Sequence, residues 1–251
     1  MLTYEEVVEQ LKLLNERKWV KTHRAGPTGI GKTLEDLTGI PENNIPTPDM
    51  KGAELKSTRK TAKSMLTLFT KSPLPDGANS VLLKRFGYQA RGNEKPDLHT
   101  TVSTLKFNTL RGKQGFIVEV SEDKVELVSG GPAPMDIMKY LTDKPEEKKE
   151  VLGYWNRRIL RECFEKKFPQ LLFVKAECRG SGKNEEFWFN EAWLLSEFSF
   201  DNFINLLKSG DILVDIRIGQ YPNGRSHDHG TGFRVQINKL DMCFQKRKNI
   251  I

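Results

Sequence analysis

Val7, Leu11 and Leu14 return at three- and four-residue steps, so they share one face of a helix, and Thr3 followed by Glu6 is the capping box that opens it. This spacing predicts a helix running to about Arg17. Met65-Leu66-Thr67-Leu68-Phe69 reads as a strand, and Asn79 to Phe86 as a short helix carrying Lys84 and Arg85. Arg91 to Pro96 is a polar loop. Phe116 to Val120 and Val125 to Val128, divided by a short polar turn, predict a hairpin. After a break at Gly130-Gly131-Pro132-Ala133-Pro134, a charged helix is predicted around Glu146 to Phe164, with Tyr154 and Trp155 on it. Leu171 to Glu177 is apolar enough for a buried strand, and Glu186 to Phe189 predicts another. Asp201 to Lys208 is a helix with Phe203, Ile204 and Leu207 inward, stopped by Gly210. The last pattern alternates with a period of two: Asp211 to Gly219 and Gly230 to Ile237 form a hairpin joined by the polar loop Tyr221 to His229. Helices and strands mixed in this way give an α/β chain of the α+β kind, without internal repeats.

One glycine-rich segment invites a nucleotide-binding reading. Gly26-Pro27-Thr28-Gly29-Ile30-Gly31-Lys32-Thr33 satisfies G-x-x-x-x-G-K-[ST], and Ile212-Leu213-Val214-Asp215 resembles the strand and acid that would hold its Mg²⁺. The context argues against ATP. A phosphate cradle needs a buried strand before it and a full helix after it, whereas a helix and a basic loop, Lys21 to Gly26, precede this one. Gly39 and Pro41 end the stretch Leu34 to Leu37 almost at once. The expectation is a glycine-rich loop whose backbone comes close to DNA phosphates, with Glu35 on the short helix after it pointing towards Asp49.

Charge narrows the partner. Lys and Arg number 40 against 33 Asp and Glu, a net charge of +7 that favours a polyanion. There is no apolar run of about 18 residues, so no transmembrane helix is expected, and Met1 to Glu6 lacks the order of a signal peptide. Cys163, Cys178 and Cys243 are far apart and lack C-x-x-C spacing, which suits free thiols in a cytoplasmic protein.

Against that background Pro48-Asp49-Met50-Lys51-Gly52-Ala53-Glu54-Leu55-Lys56 carries chemistry. In an extended strand Glu54 and Lys56 share a face while Leu55 turns away, and a turn at Gly52 lets Asp49 swing in beside Glu54. Two carboxylates with nearby carbonyls make a hard oxygen site for Mg²⁺, and an ammonium beside them orients a water and stabilises a phosphorane-like transition state. The same spacing also fits a solvated turn leading into an ordinary strand. The basic, hydroxyl-rich run Ser57 to Ser64 and Thr70-Lys71-Ser72-Pro73 suit phosphate contacts, or an exposed hairpin. On the last hairpin Asp215 and Arg217 share a face, and Arg234 follows His227-Asp228-His229. Arg reads guanine by a two-pronged fork and Asp accepts from cytosine, so this is a candidate major-groove reader of G·C pairs. The H-D-H also admits half a metal site, for which no third ligand sits at a useful spacing, or a turn capped by a structural Asp.

Several separated blocks then resemble one family. Thr28-Gly29-Ile30-Gly31-Lys32-Thr33, Asp49…Glu54-Leu55-Lys56, Ala62-Lys63-Ser64 with Leu66 to Pro73, Val214 to Gly219, and His227-Asp228-His229-Gly230-Thr231 stand in the order found in the MvaI/BcnI restriction endonucleases, which are related to the repair nickase MutH. About Arg111 to Glu165 has no matching block. The resemblance implies a MutH-like PD-(D/E)xK nuclease fold, a mixed central sheet flanked by helices, with two lobes around a DNA cleft. It places a catalytic lobe at 1–110 and a second lobe with the recognition hairpin at 111–251. It implies Asp49 and Glu54 as ligands of Mg²⁺, Lys56 positioning the water, and Glu35 as a supporting acid. Asp215, Arg217, His227, Asp228, His229 and Arg234 would read bases, and Lys32, Lys63, Ser64, Thr70 and Lys71 would touch double-stranded DNA. It further implies a monomer cutting CCNGG-type sites one strand at a time, with a companion methyltransferase; the Thr70-Lys71 and H-D-H forms resemble the branch that cuts CC(A/T)GG. The rival readings are a MutH-like repair nickase driven by a partner protein and a P-loop NTPase.

Overall fold

The computed structural model describes residues 2–41, 48–89, 95–129, 149–167 and 170–251. The chain divides into two compact units: Met1–Ser64, Cys163–Asn202 and Leu240–Ile251 form one, and Met65–Glu162 with Phe203–Lys239 the other. A single division near residue 110 follows chain order, but strand pairing groups the residues differently. Met65–Thr70 and Pro96–Val102 hydrogen-bond to Gly232–Gln236 and Ile212–Gln220, so early and late segments make one sheet.

In the first unit, a mixed sheet runs in the order Val20–Lys21, Glu186–Ser196, Gln170–Arg179, Glu54–Arg59, with Lys246–Asn249 also paired to Glu186–Ser196. Glu54–Arg59 lies parallel to Gln170–Arg179, and the other pairings are antiparallel. Leu171 to Val174 are buried without alternation, as expected of a strand covered on both faces. The helix Tyr4–Arg17 begins as predicted: Thr3 Oγ1 accepts from the Glu6 amide at 3.3 Å, and Glu6 Oε2 accepts from the Thr3 amide at 2.7 Å. Its Val7, Leu11 and Leu14 join Ile30 and Leu34 of a second helix over Leu55, Val174 and Phe187 of the sheet.

That second helix, Gly29–Thr38, overturns the glycine-rich loop. Gly29, Gly31 and Lys32 are helical, and Thr33 Oγ1 donates to the Gly29 carbonyl at 2.7 Å while accepting from the His23 amide at 2.9 Å. The hydroxyl that a phosphate cradle would lend to a metal is thus used inside the fold. Gly29 is required for another reason: a Cβ there would stand 2.1 Å from the Arg24 carbonyl oxygen. Arg59 grips Glu185 through Nε and Nη2, both at 2.7 Å, and donates to the Pro27 and Gly26 carbonyls at 3.1 Å, which fixes the entry to this helix.

In the second unit, an antiparallel sheet runs Met65–Thr70, Gly232–Gln236, Ile212–Gln220, Pro96–Val102, Tyr88–Gln89, and Ser226–Asp228 pairs with Ile212–Gln220. Phe233 centres its core, with ring centroids 5.0 Å from Phe69, 5.3 Å from Phe203 and 5.6 Å from Trp155. A second antiparallel sheet joins Phe116–Val120, Lys124–Ser129 and Glu150–Asn156. The predicted hairpin is there, but the helix expected around Glu146 to Phe164 is a strand, Glu150–Asn156, followed by a helix, Arg157–Lys167. Val151, Tyr154 and Trp155 favour a pleated surface, and Gly153 sits at a register shift with Pro73 beside it. The loop at 90–94 and the break at 130–134 lie outside the described residues.

Candidate active site and DNA-reading hairpin

The turn before the acidic strand forms as read. The Met50 and Ala53 backbones exchange hydrogen bonds at 3.2 and 3.3 Å around Gly52, whose φ of +88° is cheap for glycine alone. The turn returns Asp49 to the start of the strand, where its Oδ2 accepts from the Leu55 amide at 3.0 Å. Leu55 points into the core, and Glu54 and Lys56 share the opposite face, with Lys56 Nζ 2.5 Å from Glu54 Oε1. Glu54 is 1% exposed. A carboxylate so deep requires cations or donors, and a second ammonium supplies more: Lys167 Nζ lies 3.2 Å from both of its oxygens. Lys167 ends the helix Arg157–Lys167, far away in sequence, and nothing in the local spacing signals it.

Glu35 lies half-buried on the helix Gly29–Thr38 and does not complete a three-acid group with Asp49 and Glu54. Lys32 pairs with Asp36 at 2.8 Å, one turn along the helix, which with His23 holds the Asp36 carboxyl below its ordinary range. Lys63 and Ser64 are exposed beyond the acidic strand.

In the second unit, Asp215 is the buried centre of the hairpin. Its Oδ2 lies 2.7 Å from Arg217 Nε and 2.6 Å from Arg234 Nε. The two arginines differ in reach. The Arg217 side chain is 45% exposed; that of Arg234 is 12% exposed and donates to Thr67 Oγ1 at 2.5 Å. Burial pushes the Arg234 guanidinium below its ordinary value and Arg217 adds to this, with Asp215 opposing. Arg217 therefore reaches solvent at one end, whereas Arg234 works mainly within the fold.

Asp228 is committed to its loop. It accepts from Ser72 Oγ at 2.5 Å, Asn79 Nδ2 at 3.1 Å and the Gly230 and Thr231 amides at 2.8 and 2.6 Å. Burial alone would raise its carboxyl, but these hydrogen bonds together outweigh it and hold it below the ordinary range. Of the readings open for H-D-H, the structure favours the capping Asp here over a base reader. Around this cap the Lys71 amide donates to the Thr231 carbonyl at 2.9 Å, so Thr70 and Lys71 lie beside the loop. Tyr221 stacks on His227 at 4.2 Å, and His227 lies 4.3 Å from His229. His229 in turn approaches Asp97 and His99 of the strand Pro96–Val102, two residues that the sequence did not single out.

A sequence profile described as the MvaI/BcnI restriction endonuclease family matches residues 8–244, which takes in both the acidic strand and the hairpin. The chain belongs to the MvaI/BcnI restriction endonuclease family. It is 31% identical to the protein in a solved structure of restriction endonuclease MvaI with its cognate DNA substrate, with all of both chains covered and a TM-score of 0.81. It is likewise 31% identical to MvaI in the absence of DNA, over 98% of this chain and 97% of that one, with a TM-score of 0.55. Comparison with curated proteins gives no match. The mixed α/β architecture is thus a PD-(D/E)xK-like nuclease fold, and the protein is a sequence-specific DNA endonuclease. No helix among the described residues is long and apolar enough to cross a membrane.

Proposed function

We propose that this endonuclease is Mg²⁺-dependent, with Asp49 and Glu54 holding the ion and Lys56 positioning the attacking water. The observation that carries this is Glu54 itself: a carboxylate 1% exposed, fixed by its strand, facing an ammonium on the same face, with Asp49 anchored one residue away on the Leu55 amide. Hard oxygen donors without sulfur or imidazole suit Mg²⁺. When bound, such an ion lowers the pKa of a coordinated water and offsets charge on the phosphoryl oxygens. The protein's own part is positioning. Lys56, held by Glu54, offers its remaining protons to a water or a phosphoryl oxygen, and Lys167 adds positive charge where the transition state gains negative charge.

Arg217 reads a guanine, with Asp215 holding the guanidinium in place, and His227 and His229 face neighbouring bases. Lys63, Ser64, Thr70, Lys71 and Lys32 contact phosphates, while Glu35, which does not join Asp49 and Glu54 in a three-acid group, has no part in holding the ion. The site is of the CCNGG type, CC(A/T)GG by the form of Thr70-Lys71 and H-D-H, cut one strand at a time by a cytoplasmic monomer that needs no ATP. A cell carrying such an enzyme needs a methyltransferase acting on the same site. Incubating the protein with unmethylated plasmid, in Mg²⁺ or in EDTA and without ATP, tests this. Discrete Mg²⁺-dependent fragments whose sequenced ends share a CCNGG site are expected, and the central base separates the branches. Intact plasmid at every enzyme concentration would sink the proposal and point to a partner-dependent nickase.

A further inference from the structure

By spacing alone His227-Asp228-His229 is half a metal site with no third ligand. The sheet supplies what spacing does not. Asp97 and His99 stand two residues apart on the strand Pro96–Val102, so their side chains leave one face. His99 pairs with Arg217 across the ladder, and the Arg217 carbonyl accepts from the His229 amide at 2.7 Å, which ties His229 to the same stretch of sheet. The ring of His229 then lies over Gly219. A Cβ at Gly219 would stand 2.3 Å from His229 Nε2 and 3.1 Å from Asp97 Oδ1, so only glycine leaves room for imidazole and carboxylate to meet there. The result is a group in which Asp97, His99 and His229 each bring one donor atom, all three within 4.8 Å of one another. Among the described residues it is the one group of three His, Cys, Asp or Glu side chains so placed.

The donor set has a chemical preference. Two imidazole nitrogens and one carboxylate oxygen suit borderline ions such as Zn²⁺, Co²⁺ and Ni²⁺, whereas Mg²⁺ takes oxygens. Ligand lengths of about 2.0–2.2 Å set donors of a tetrahedral site about 3.3–3.5 Å apart, so a closure of at most about 1.5 Å reaches ligation. His99 and His229 are exposed and meet edge to face with centroids 6.0 Å apart, so small rotations make that closure and leave the fourth position to water.

We propose that Asp97, His99 and His229 form a binding site for one transition-metal ion of the zinc kind, lying in the hairpin unit and separate in chemistry from the carboxylate pair Asp49 and Glu54. The site has a regulatory consequence that rests on the base-reading role proposed for His229: a bound ion and a contacted base compete for one imidazole.

The site itself is tested without DNA. Protein is titrated with Co²⁺ in excess Ca²⁺, which fills oxygen-donor sites, while visible absorption and binding heat are followed. One saturable equivalent per chain is expected, weakened at least tenfold in His99→Ala and in Asp97→Ala. Gly219→Ala, whose methyl group displaces His229, weakens it too, and circular dichroism confirms that each variant is folded. Unchanged Co²⁺ affinity in the folded variants overturns the site, as does the absence of saturable binding in the wild type. A thiolate-to-cobalt charge-transfer band also overturns it, because the ion would then sit on a cysteine. None of these failures touches the nuclease reading, since no cleavage is measured. The competition is tested by binding of a CCNGG duplex in Ca²⁺, with and without Zn²⁺. Zn²⁺ is expected to weaken the wild type and to leave His99→Ala with the affinity that it has without Zn²⁺; an equal loss in both proteins overturns the coupling.

Discussion

Glu54 carries two ammonium groups, Lys56 at 2.5 Å and Lys167 at 3.2 Å, on a carboxylate almost sealed from water. Losing either should act on chemistry before it acts on DNA affinity. Lys56→Ala is expected to bind cognate DNA in Ca²⁺ as the wild type does and to leave it uncut in Mg²⁺; full cleavage by this variant would remove the mechanism. Lys167→Ala takes away one cation that would compete with the proposed Mg²⁺ for Glu54. The Mg²⁺ concentration for half-maximal cleavage should therefore fall by at least about fivefold, since a pair with a buried carboxylate is worth more than the roughly 1 kcal/mol of an exposed one. An unchanged midpoint would show that Lys167 is a structural contact. The two arginines on Asp215 separate in the same way. Arg217→Ala should relax discrimination at one guanine by about 1–3 kcal/mol, read from cleavage of singly substituted sites. Arg234→Ala removes a buried partner and should cost roughly 3 kcal/mol of folding stability in urea instead. At Asp228 the folded carboxyl lies below its unfolded value near 3.9, so the unfolded chain takes up the proton first. Its contribution is whole above about pH 5 and is lost as pH falls through that value and below. Asp228→Asn should flatten the stability profile in that acid range, and a slope identical to the wild type would refute the capping role.

At the level of elements, the glycine positions show how the chain is built. Gly29→Ala drives a methyl carbon into the Arg24 carbonyl and should cost about 1–3 kcal/mol in denaturant unfolding, although alanine is the better helix former. The same residue explains a misreading. Gly26 to Thr33 looks like a loop because glycine usually breaks helices, yet here close packing against Arg24 calls for glycine within one. Where one face is apolar and caps are local, as in Tyr4–Arg17 or the hairpin Phe116–Val120 with Lys124–Ser129, the sequence was readable. The acidic turn was readable too, since Gly52, Glu54, Leu55 and Lys56 lie within a few residues of one another. Glu150–Asn156 was not, because its charged neighbours imitate a helix and only pairing with Lys124–Ser129 makes it a strand. Pro96–Val102 was also missed. Its polar Asp97, His99, Thr100 and Thr101 lack the apolar alternation of a strand, and their value comes from residues far away in sequence. Lys167 belongs with these, since tertiary contact alone brings it to Glu54.

For the whole molecule, a net charge of +7 predicts salt-dependent association. If 6–10 phosphates are contacted, raising salt from about 50 to 200 mM should weaken DNA binding by roughly 10³–10⁵-fold, and a flat response in filter binding would count against a basic interface. The path of the chain adds something of another kind. The residues Asp49, Glu54 and Lys56 precede by more than a hundred residues the strand that flanks them, Gln170–Arg179, and the lysine that shares Glu54, and Lys246–Asn249 of the same sheet follows later still. A shortened chain therefore carries the proposed catalytic residues without the strand beside them. If that sheet is needed to hold Glu54, a chain cut before Gln170 should be inactive however intact its acidic turn, and cleavage by such a fragment would show that the turn suffices.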